Sequence, residues 1–294
     1  MIQKEKMSAE EITFGVELET GIPDARRDFL IGGYHNGKLL TKAPKFEGQY
    51  WKAERDGSLN FSLSRGCEFV SPVLHGAAGV DNLLKMVQWI KARDGRVNQS
   101  CGLHIHIGWK SVLGENVSPK DLSCYIAKLA AVVNINAFAL YAQTGKRRDQ
   151  SRYCKELTLS HKEFLRNVRQ SGSIQNYAGL DRYCLLNVKP ILSKGTFEFR
   201  VFAGTLDEDL ILHHLWCCLF IARFAQNLQT VPWETKGWAS EEGGRGSKAL
   251  KGFYHKIKHH CLVGEMNTRY NAMKNAALQK AEAFDRKYLT GGAV

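Results

Sequence analysis

The sequence predicts an α+β fold with an antiparallel or mixed sheet. Strand-like and helix-like segments do not alternate regularly along the 294 residues, which argues against a doubly wound parallel sheet. The first hundred residues read mainly as strands, and the longest helical periodicities follow residue 118. Three of the strands are also apolar on one side and charged on the other.

The elements follow in chain order. EITFGVELET (11–20) is a strand. FLIGGY (29–34) and GKLLTK (37–42) flank His35-Asn36-Gly37, a hairpin-turn signal. QYWKAERD (49–56) and GCEFVSPVL (66–74) are further strands. Val80, Leu83, Leu84, Val87 and Ile90 keep a helical spacing, with Asp81 near the start and Gly95 past the end. The strand NQSCGLHIHIGW (98–109) comes next. Ser118-Pro119 then opens a helix running to Gln143, serine as N-cap and proline in the first turn. A basic loop (144–155) and a short helical stretch lead to two strands, DRYCLLNVKPIL (181–192) and GTFEFRVFAGT (195–205). Residues 207–229 read as a buried helix, 233–249 as a loop, and 265–289 as a C-terminal helix.

Composition bounds the function. The chain is 44% hydrophobic and 24% charged, as a globular protein is, and no apolar run approaches the roughly 20 residues of a membrane span. The polar N-terminus lacks a secretory h-region, so a cytoplasmic location is expected. Eight cysteines are scattered with no CxxC pair, which suits reduced structural thiols better than a zinc knuckle or a disulfide framework. Net charge is +12, compatible with an anionic partner such as a nucleotide or nucleic acid, although no block of like charge stands out.

The chemistry concentrates on three strands. In FGVELE, Glu17 and Glu19 share one face. In GLHIHI, His104 and His106 do the same, and in TFEFRVF, Glu198 and Arg200 oppose Phe197, Phe199 and Val201. Residues two apart on a strand stand roughly 7 Å from one another, where two carboxylates repel by about 2 kcal/mol at an effective dielectric near 20. A cation offsets that repulsion, and oxygen ligands with an imidazole suit Mg²⁺ or Mn²⁺. Glu68 in GCEFVSP offers a fourth carboxylate, whereas Asp56 in Asp56-Gly57-Ser58 reads as a turn residue. Taken singly, each pair is more simply a solvated strand face or satisfied imidazoles, and it is the recurrence on three otherwise apolar strands that points to a metal.

FGVELE, RDGSL, GCEFVSP, CGLHIHIGW and RYCLLNV with GTFEFRVFAGT, in that order from about residue 12 to 210, resemble the amidoligase family, grouped with glutamine synthetase and γ-glutamylcysteine ligase. The resemblance implies a curved, mainly antiparallel sheet with helices packed on its outer face, a glutamine synthetase-like catalytic domain over 1–232, and a loop and helical extension over 233–294 packed on the same domain. It implies an ATP- and Mg²⁺- (or Mn²⁺-) dependent carboxylate–amine ligase working through an acyl phosphate on small or carrier-bound substrates. Glu17, Glu19, Glu68, His104 and Glu198 match metal-facing positions. His106 matches a position near the nucleotide, and Arg200 one that contacts transferring phosphate. Arg152 and Arg182 match candidate substrate or phosphate contacts. No P-loop GxxxxGK[ST] is present, as that kind of ligase requires none.

Two alternatives stay open at this level. His104 and His106 with a carboxylate suit a zinc hydrolase. The charge, with basic stretches such as GGRGSKALKGFYHKIKHH (243–260), suits a non-catalytic nucleic-acid-binding protein. His213-His214 and His259-His260 are adjacent pairs whose rings are expected to point apart, and Cys217-Cys218 lies in an apolar helical run.

Overall fold

In the computed structural model the described residues are 11–61, 65–145, 151–157, 163, 166, 167, 173, 175, 176, 180–232, 245–257 and 265–288. The short helical stretch after the basic loop, most of the 233–249 loop and His259-His260 lie outside them or nearly so.

The protein is built on a seven-stranded sheet. Its strands are β1 (Phe14–Ile22), β2 (Lys38–Leu39), β5 (Lys52–Glu54), β6 (Arg65–Val70), β7 (Gly102–Gly108), β8 (Leu186–Asn187) and β9 (Thr196–Ala203). Their order is β2-β5-β6-β1-β7-β9-β8, and every ladder is antiparallel. A separate hairpin pairs β3 (Lys45–Phe46) with β4 (Gln49–Tyr50). The sequence reading missed it, although Glu47 and Gly48, both at positive φ, form the two-residue turn such hairpins favour.

One face of the sheet is apolar. Val16, Leu18, Leu103, Ile105, Phe197, Phe199 and Phe202 are buried there beneath helices α1 (Gly76–Lys91), α3 (Pro119–Ile135), α4 (Ala137–Ala142) and α5 (Glu208–Asn227). Tyr125 of α3 meets Phe197 at 5.9 Å between ring centres, and His214 of α5 stacks on Phe202 at 4.2 Å. The short α2 (Trp109–Leu113) follows β7 directly. The α+β expectation holds: sequence-local strands pair antiparallel, and the helices gather on one side.

Several boundaries differ from expectation for identifiable reasons. The turn near Asn36-Gly37 falls one step earlier, over Gly33–Asn36, with His35 at φ +56°. Gly37 serves close approach instead: a Cβ there would lie 2.8 Å from Glu54 and Lys52 side-chain atoms. FLIGGY accordingly pairs no strand beyond a single bridge at Gly33. Helix α1 begins at Gly76, before Asp81, and its Gly79 packs closely against Leu74. The long helix after Ser118 breaks at Asn136, whose amide donates to the Val132 carbonyl and competes with the helical ladder. Ser118 and Asp207 cap α3 and α5 as their positions in the sequence suggest.

The largest difference is at the C-terminus. Gly246–Ile257 is a helix, α6, and it packs with α7 (Glu265–Tyr288) against α4 and α5. Phe253 and Tyr254 are buried in that packing, so the aromatics of the basic stretch are core and form no stacking platform for bases. Asp285 of α7 caps α6, accepting from the Gly246 and Ser247 amides and the Ser247 hydroxyl. No described helix is long and apolar enough to cross a membrane.

His213 and His214 do not point apart in effect. Both Nδ1 atoms reach the same oxygen of Gln143, at 2.8 and 2.9 Å, and Tyr254 bonds His213 Nε2. Gln143 offers only an acceptor at that oxygen, so both rings are neutral Nδ1–H donors there. Burial lowers His213 to about 3 and, with His213 beside it, drives His214 well below the ordinary range.

Two predictions follow from these contacts. Asp285→Ala is expected to lower unfolding stability by about 1–2 kcal/mol in denaturant titration. For the histidines the native state stays neutral while the unfolded chain gains protons below about pH 6.5. Stability from this pair is therefore complete above about pH 6.5. It declines as pH falls towards 3, by up to about 1.4 kcal/mol per pH unit for each ring. His213→Gln should shed one proton from that acid limb, and an unchanged slope would contradict the assignment.

Candidate active site

The polar face of the sheet is not a solvated surface. Glu198 is 3%, His104 4% and Glu19 5% exposed, so strand alternation here serves a hollow and not an edge. Register explains how distant segments meet. Glu19 lies opposite Glu68, Glu17 opposite His104, and His106 opposite Glu198. Paired residues project to the same side of a sheet, so β6, β1, β7 and β9 deliver one continuous row.

His104 sits at its centre with four carboxylates around the ring. Its Nδ1 is 3.1 Å from Glu17, 3.4 Å from Glu198 and 4.0 Å from Glu68, and its Nε2 is 3.6 Å from Glu19. Gly102 makes this possible: a Cβ there would stand 2.8 Å from His104 Nε2, and its amide donates to Glu19. His106 Nε2 lies 3.1 Å from Glu17 and its Nδ1 3.0 Å from the Thr196 hydroxyl. Arg200 bonds Glu198, whose other oxygen accepts from Asn187 Nδ2 at 2.7 Å.

A bulge places Arg200. Between Leu103↔Phe202 and Ile105↔Phe199, β9 spends two residues, Arg200 and Val201, opposite His104 alone. Simple alternation would put Val201 with Phe197 and Phe199. The bulge brings Phe202 into register with Leu103 as well, while Val201 stays buried in the core and Arg200 keeps the polar side it shares with Glu198.

The electrostatics are those of crowded acids with partial compensation. Burial pushes the Glu17 carboxyl up, but His106 and His104 outweigh it and hold Glu17 well below the usual carboxylate range. Burial likewise opposes ionisation of Glu198, and His106, Arg200 and His104 override it. Glu68 has no such relief: burial first, then Glu17, Glu19 and Asp56, drive it well above its ordinary value. Burial lowers His106, and Glu17 and Glu198 more than restore it.

Two groups here have ligand atoms close enough for a metal ion: Glu17, His104 and Glu198, and Glu19, Glu68 and His104. Within each, the atoms lie within 4.8 Å of one another. The donor set fits Mg²⁺ or Mn²⁺, being hard oxygens with one imidazole. It does not fit a two-histidine zinc centre, because His106 is in neither group and is bonded to Glu17 and Thr196.

Two cavities flank the row. A polar one of about 220 Å³ is lined by Glu19, His104 and Arg200 together with Asp56, Arg182 and three tyrosines, Tyr34, Tyr153 and Tyr183. A mostly apolar one of about 230 Å³ is lined by Glu17, His106 and Lys194 with Phe14, Val16 and Val70. All the metal candidates of the sequence reading therefore come together, with His106 and Arg200 beside them. Arg152 does not: it is exposed, bonded to the Tyr153 hydroxyl at 2.6 Å, and lines neither cavity.

Sequence reasoning missed three groups. Glu54, opposite Glu68 across β5, extends the acidic row, and its signal was the alternation of Lys52 and Glu54 about buried Ala53. Lys194 reaches Glu17 at 3.4 Å from the loop before β9, which no local pattern marks. Asp56 is a turn residue whose carboxylate accepts from Ser58 N, and it is also a cavity wall.

The antiparallel sheet gathers acids and imidazoles between two cavities, with ligand atoms close enough for a metal ion, and the comparisons add a family to that geometry. A family model described as "Putative amidoligase enzyme" matches residues 10–222, and the chain belongs to that family. No curated protein matches it. Among solved structures it is similar to a bifunctional glutathione synthetase from Pasteurella multocida, at 10% identity and TM-score 0.51. That alignment covers 96% of this chain and 53% of the synthetase, so the chain spans about half its length. A glutamine synthase homologue aligns at 15% identity and TM-score 0.44 over 96% of this chain and 68% of its own.

Cation uptake at this site carries a proton signature, because Glu68 must ionise to bind. Titrating Mn²⁺ into metal-free protein near pH 7 in weak buffer is expected to release protons, and Glu68→Gln to remove most of that release. No release from the native protein, or full release from the variant, would contradict the site.

Proposed function

We propose that the protein is an ATP-dependent ligase that joins a carboxylate to an amine through an acyl phosphate, with Mg²⁺ or Mn²⁺ at the acidic row. The observation that carries this reading is the row's position between two cavities of opposite character, one apolar and one polar. Family membership agrees with it.

Glu17 and Glu198 would hold one cation and Glu19 and Glu68 a second, with His104, whose neutral ring has one lone-pair nitrogen, as ligand to only one of them. Cations held there supply charge neutralisation on the phosphate oxygens, which phosphoryl transfer needs more than a protein nucleophile. The apolar cavity takes the base and ribose, its Val70, Pro72 and Val73 providing the contact. Lys194 and His106 at the boundary face the phosphates. The polar cavity takes the acid.

An oxygen of the acid attacks the γ-phosphorus, the bond to the β-phosphate oxygen breaks, and ADP leaves. Arg200, held by Glu198 and aimed by the bulge, stabilises negative charge on the moving phosphoryl group. The amine nitrogen then attacks the acyl carbon, inorganic phosphate departs, and the amine proton passes to Asp56 on the cavity wall. Residues 1–232 carry this chemistry, and the segment 233–294 is an extension whose helices α6 and α7 pack behind α4 and α5. The substrates are small molecules, or small groups presented by a carrier.

Hydroxylamine intercepts acyl phosphates, so incubation with ATP, Mg²⁺ and a panel of acids is expected to give a hydroxamate and ADP. Glu17→Gln and Glu198→Gln should each reduce the rate by roughly 10²-fold or more. Absence of both products across the panel, with native protein binding ATP no tighter than the double variant, would refute the reading.

A further inference from the structure

Arg200 meets the phosphoryl charge in the proposed reaction, so what fixes its guanidinium matters as much as its charge. Glu198 and the Tyr153 carbonyl both hold it: Nη1 donates to Glu198 on the same strand, and Nε donates to the Tyr153 carbonyl at 3.4 Å. Glu198 also belongs to a group whose ligand atoms lie close enough for a metal ion, so its carboxylate answers to two demands. The Tyr153 carbonyl is neutral and lies outside the acidic row.

That carbonyl belongs to the segment 151–157, which is joined to the sheet by a single bridge, Lys155 to Cys184. The next peptide unit is what holds it. Its Lys155 amide donates to the Tyr183 carbonyl at 3.0 Å, and its Cys154 carbonyl accepts from the Tyr141 hydroxyl of α4 at 2.7 Å. Cys154 and Tyr141 are both buried. Tyr141 therefore reaches from the helical layer to within one residue of the carbonyl that holds Arg200. The helix that carries it is itself clamped: a Cβ on Gly246 of α6 would stand 2.3 Å from that of Ala142. The segment closes on the Arg200 backbone as well, because the Leu185 amide donates to the Lys155 carbonyl and the Leu185 carbonyl accepts from the Arg200 amide. A buried carbonyl that loses its donor must move to find another. Here such a movement carries the Tyr153 carbonyl with it, because the two rigid peptide planes meet at the Cys154 α-carbon.

We infer that Tyr141 is a positioning residue for the transfer step: its hydroxyl holds the segment so that the Tyr153 carbonyl aims Arg200 at the group in transit. The inference rests on the ligase reading for the step itself. The placement of Arg200 by Tyr141 does not depend on it.

Tyr141→Phe tests this, with Tyr125→Phe as its match. Tyr125 is likewise buried and its hydroxyl donates to a backbone carbonyl at 3.1 Å, but that carbonyl, of Ala222, belongs to α5 and not to the segment that holds Arg200. Each variant keeps its ring, and circular dichroism checks that both fold. In hydroxamate assays with ATP, Mg²⁺ and an acid that native protein turns over, Tyr141→Phe is expected to lower kcat by roughly tenfold or more with the KM for ATP unchanged, and Tyr125→Phe to change kcat by less than about twofold, because small misplacements of a positioned group are costly. Arginine side-chain NMR gives a reading that needs no turnover. The Nε–H resonance of Arg200, assigned by its loss in Arg200→Lys, should shift or exchange faster with solvent in Tyr141→Phe and stay in place in Tyr125→Phe. An unmoved resonance or an unchanged kcat in Tyr141→Phe, or equal losses in the two variants, overturns the inference. Failure of native protein to form any hydroxamate refutes the ligase reading instead, and the resonance then decides alone whether Tyr141 places Arg200.

Discussion

The constraint on which the structure turns is the packing of four carboxylates around one imidazole. Glu17, Glu198, Glu19 and Glu68 stand 3.1, 3.4, 3.6 and 4.0 Å from the ring nitrogens of His104. At about 4 Å and an effective dielectric near 20, one pair of unit charges interacts by roughly 4 kcal/mol. His106 bonds Glu17, Arg200 pairs with Glu198, and Lys194 reaches Glu17, so the compensation gathers on Glu17 and Glu198. The excess falls on Glu68, which burial and its neighbours keep from ionising. In the proposed reading, divalent cations supply the charge that this face lacks. A chain selected for stability alone has no use for this arrangement.

What holds the row in place is the opposite face. Phe197, Phe199, Phe202, Leu103 and Ile105 are buried completely beneath the helices, and each fixes the register of a charged neighbour on its strand. The contrast between the two histidine pairs shows how differently burial is resolved on the two sides. His213 and His214 share the oxygen of Gln143 and stay neutral, so that pair is satisfied within the protein. His106 is held towards its charged form by Glu17 and Glu198. The first arrangement is settled by one neutral amide oxygen, and the second by ion pairs with buried carboxylates.

The site was legible in the sequence wherever strand alternation exposed it. GVELE, GLHIHI and TFEFR each display an apolar and a polar series, and antiparallel pairing of neighbouring strands did the rest. The pattern failed where backbone geometry departs from period two. Phe202 is out of phase with Phe197 and Phe199, yet the bulge opposite His104 pairs it with Leu103 in the core, where Val201 is buried too. It failed again for groups carried by loops. Lys194 and Asp56 enter the cavity walls through tertiary placement, and a turn residue looks the same whether its carboxylate meets solvent or a pocket. The tight turn at His35 falls before Gly37 because Gly37 answers to close approach, a demand set by Lys52 and Glu54 on another strand. In the fold, α6 was misread because its basic exposed residues masked Ala249, Leu250, Phe253 and Tyr254, whose spacing is that of a buried helical stripe.

The placement of the row also bears on water. An acyl phosphate hydrolyses readily, so a ligase must carry the activated acid from phosphoryl donor to amine without exposing it. Here Glu17 and Glu19 are two residues apart on β1, one lining the apolar cavity and the other the polar cavity. The acidic row is thus the partition between them. In the proposed reaction the phosphoryl group crosses that partition once, and the acid never leaves the polar cavity. Donor and acceptor need approach only from their own sides, and no nucleotide-binding loop has to open or close over the reacting carbon. Burial of Glu198 and His104, at 3% and 4% exposure, then acts as more than a byproduct of packing. It keeps bulk water from the point where the two substrates meet, and a low local dielectric strengthens the contacts of Arg200 with the group in transit.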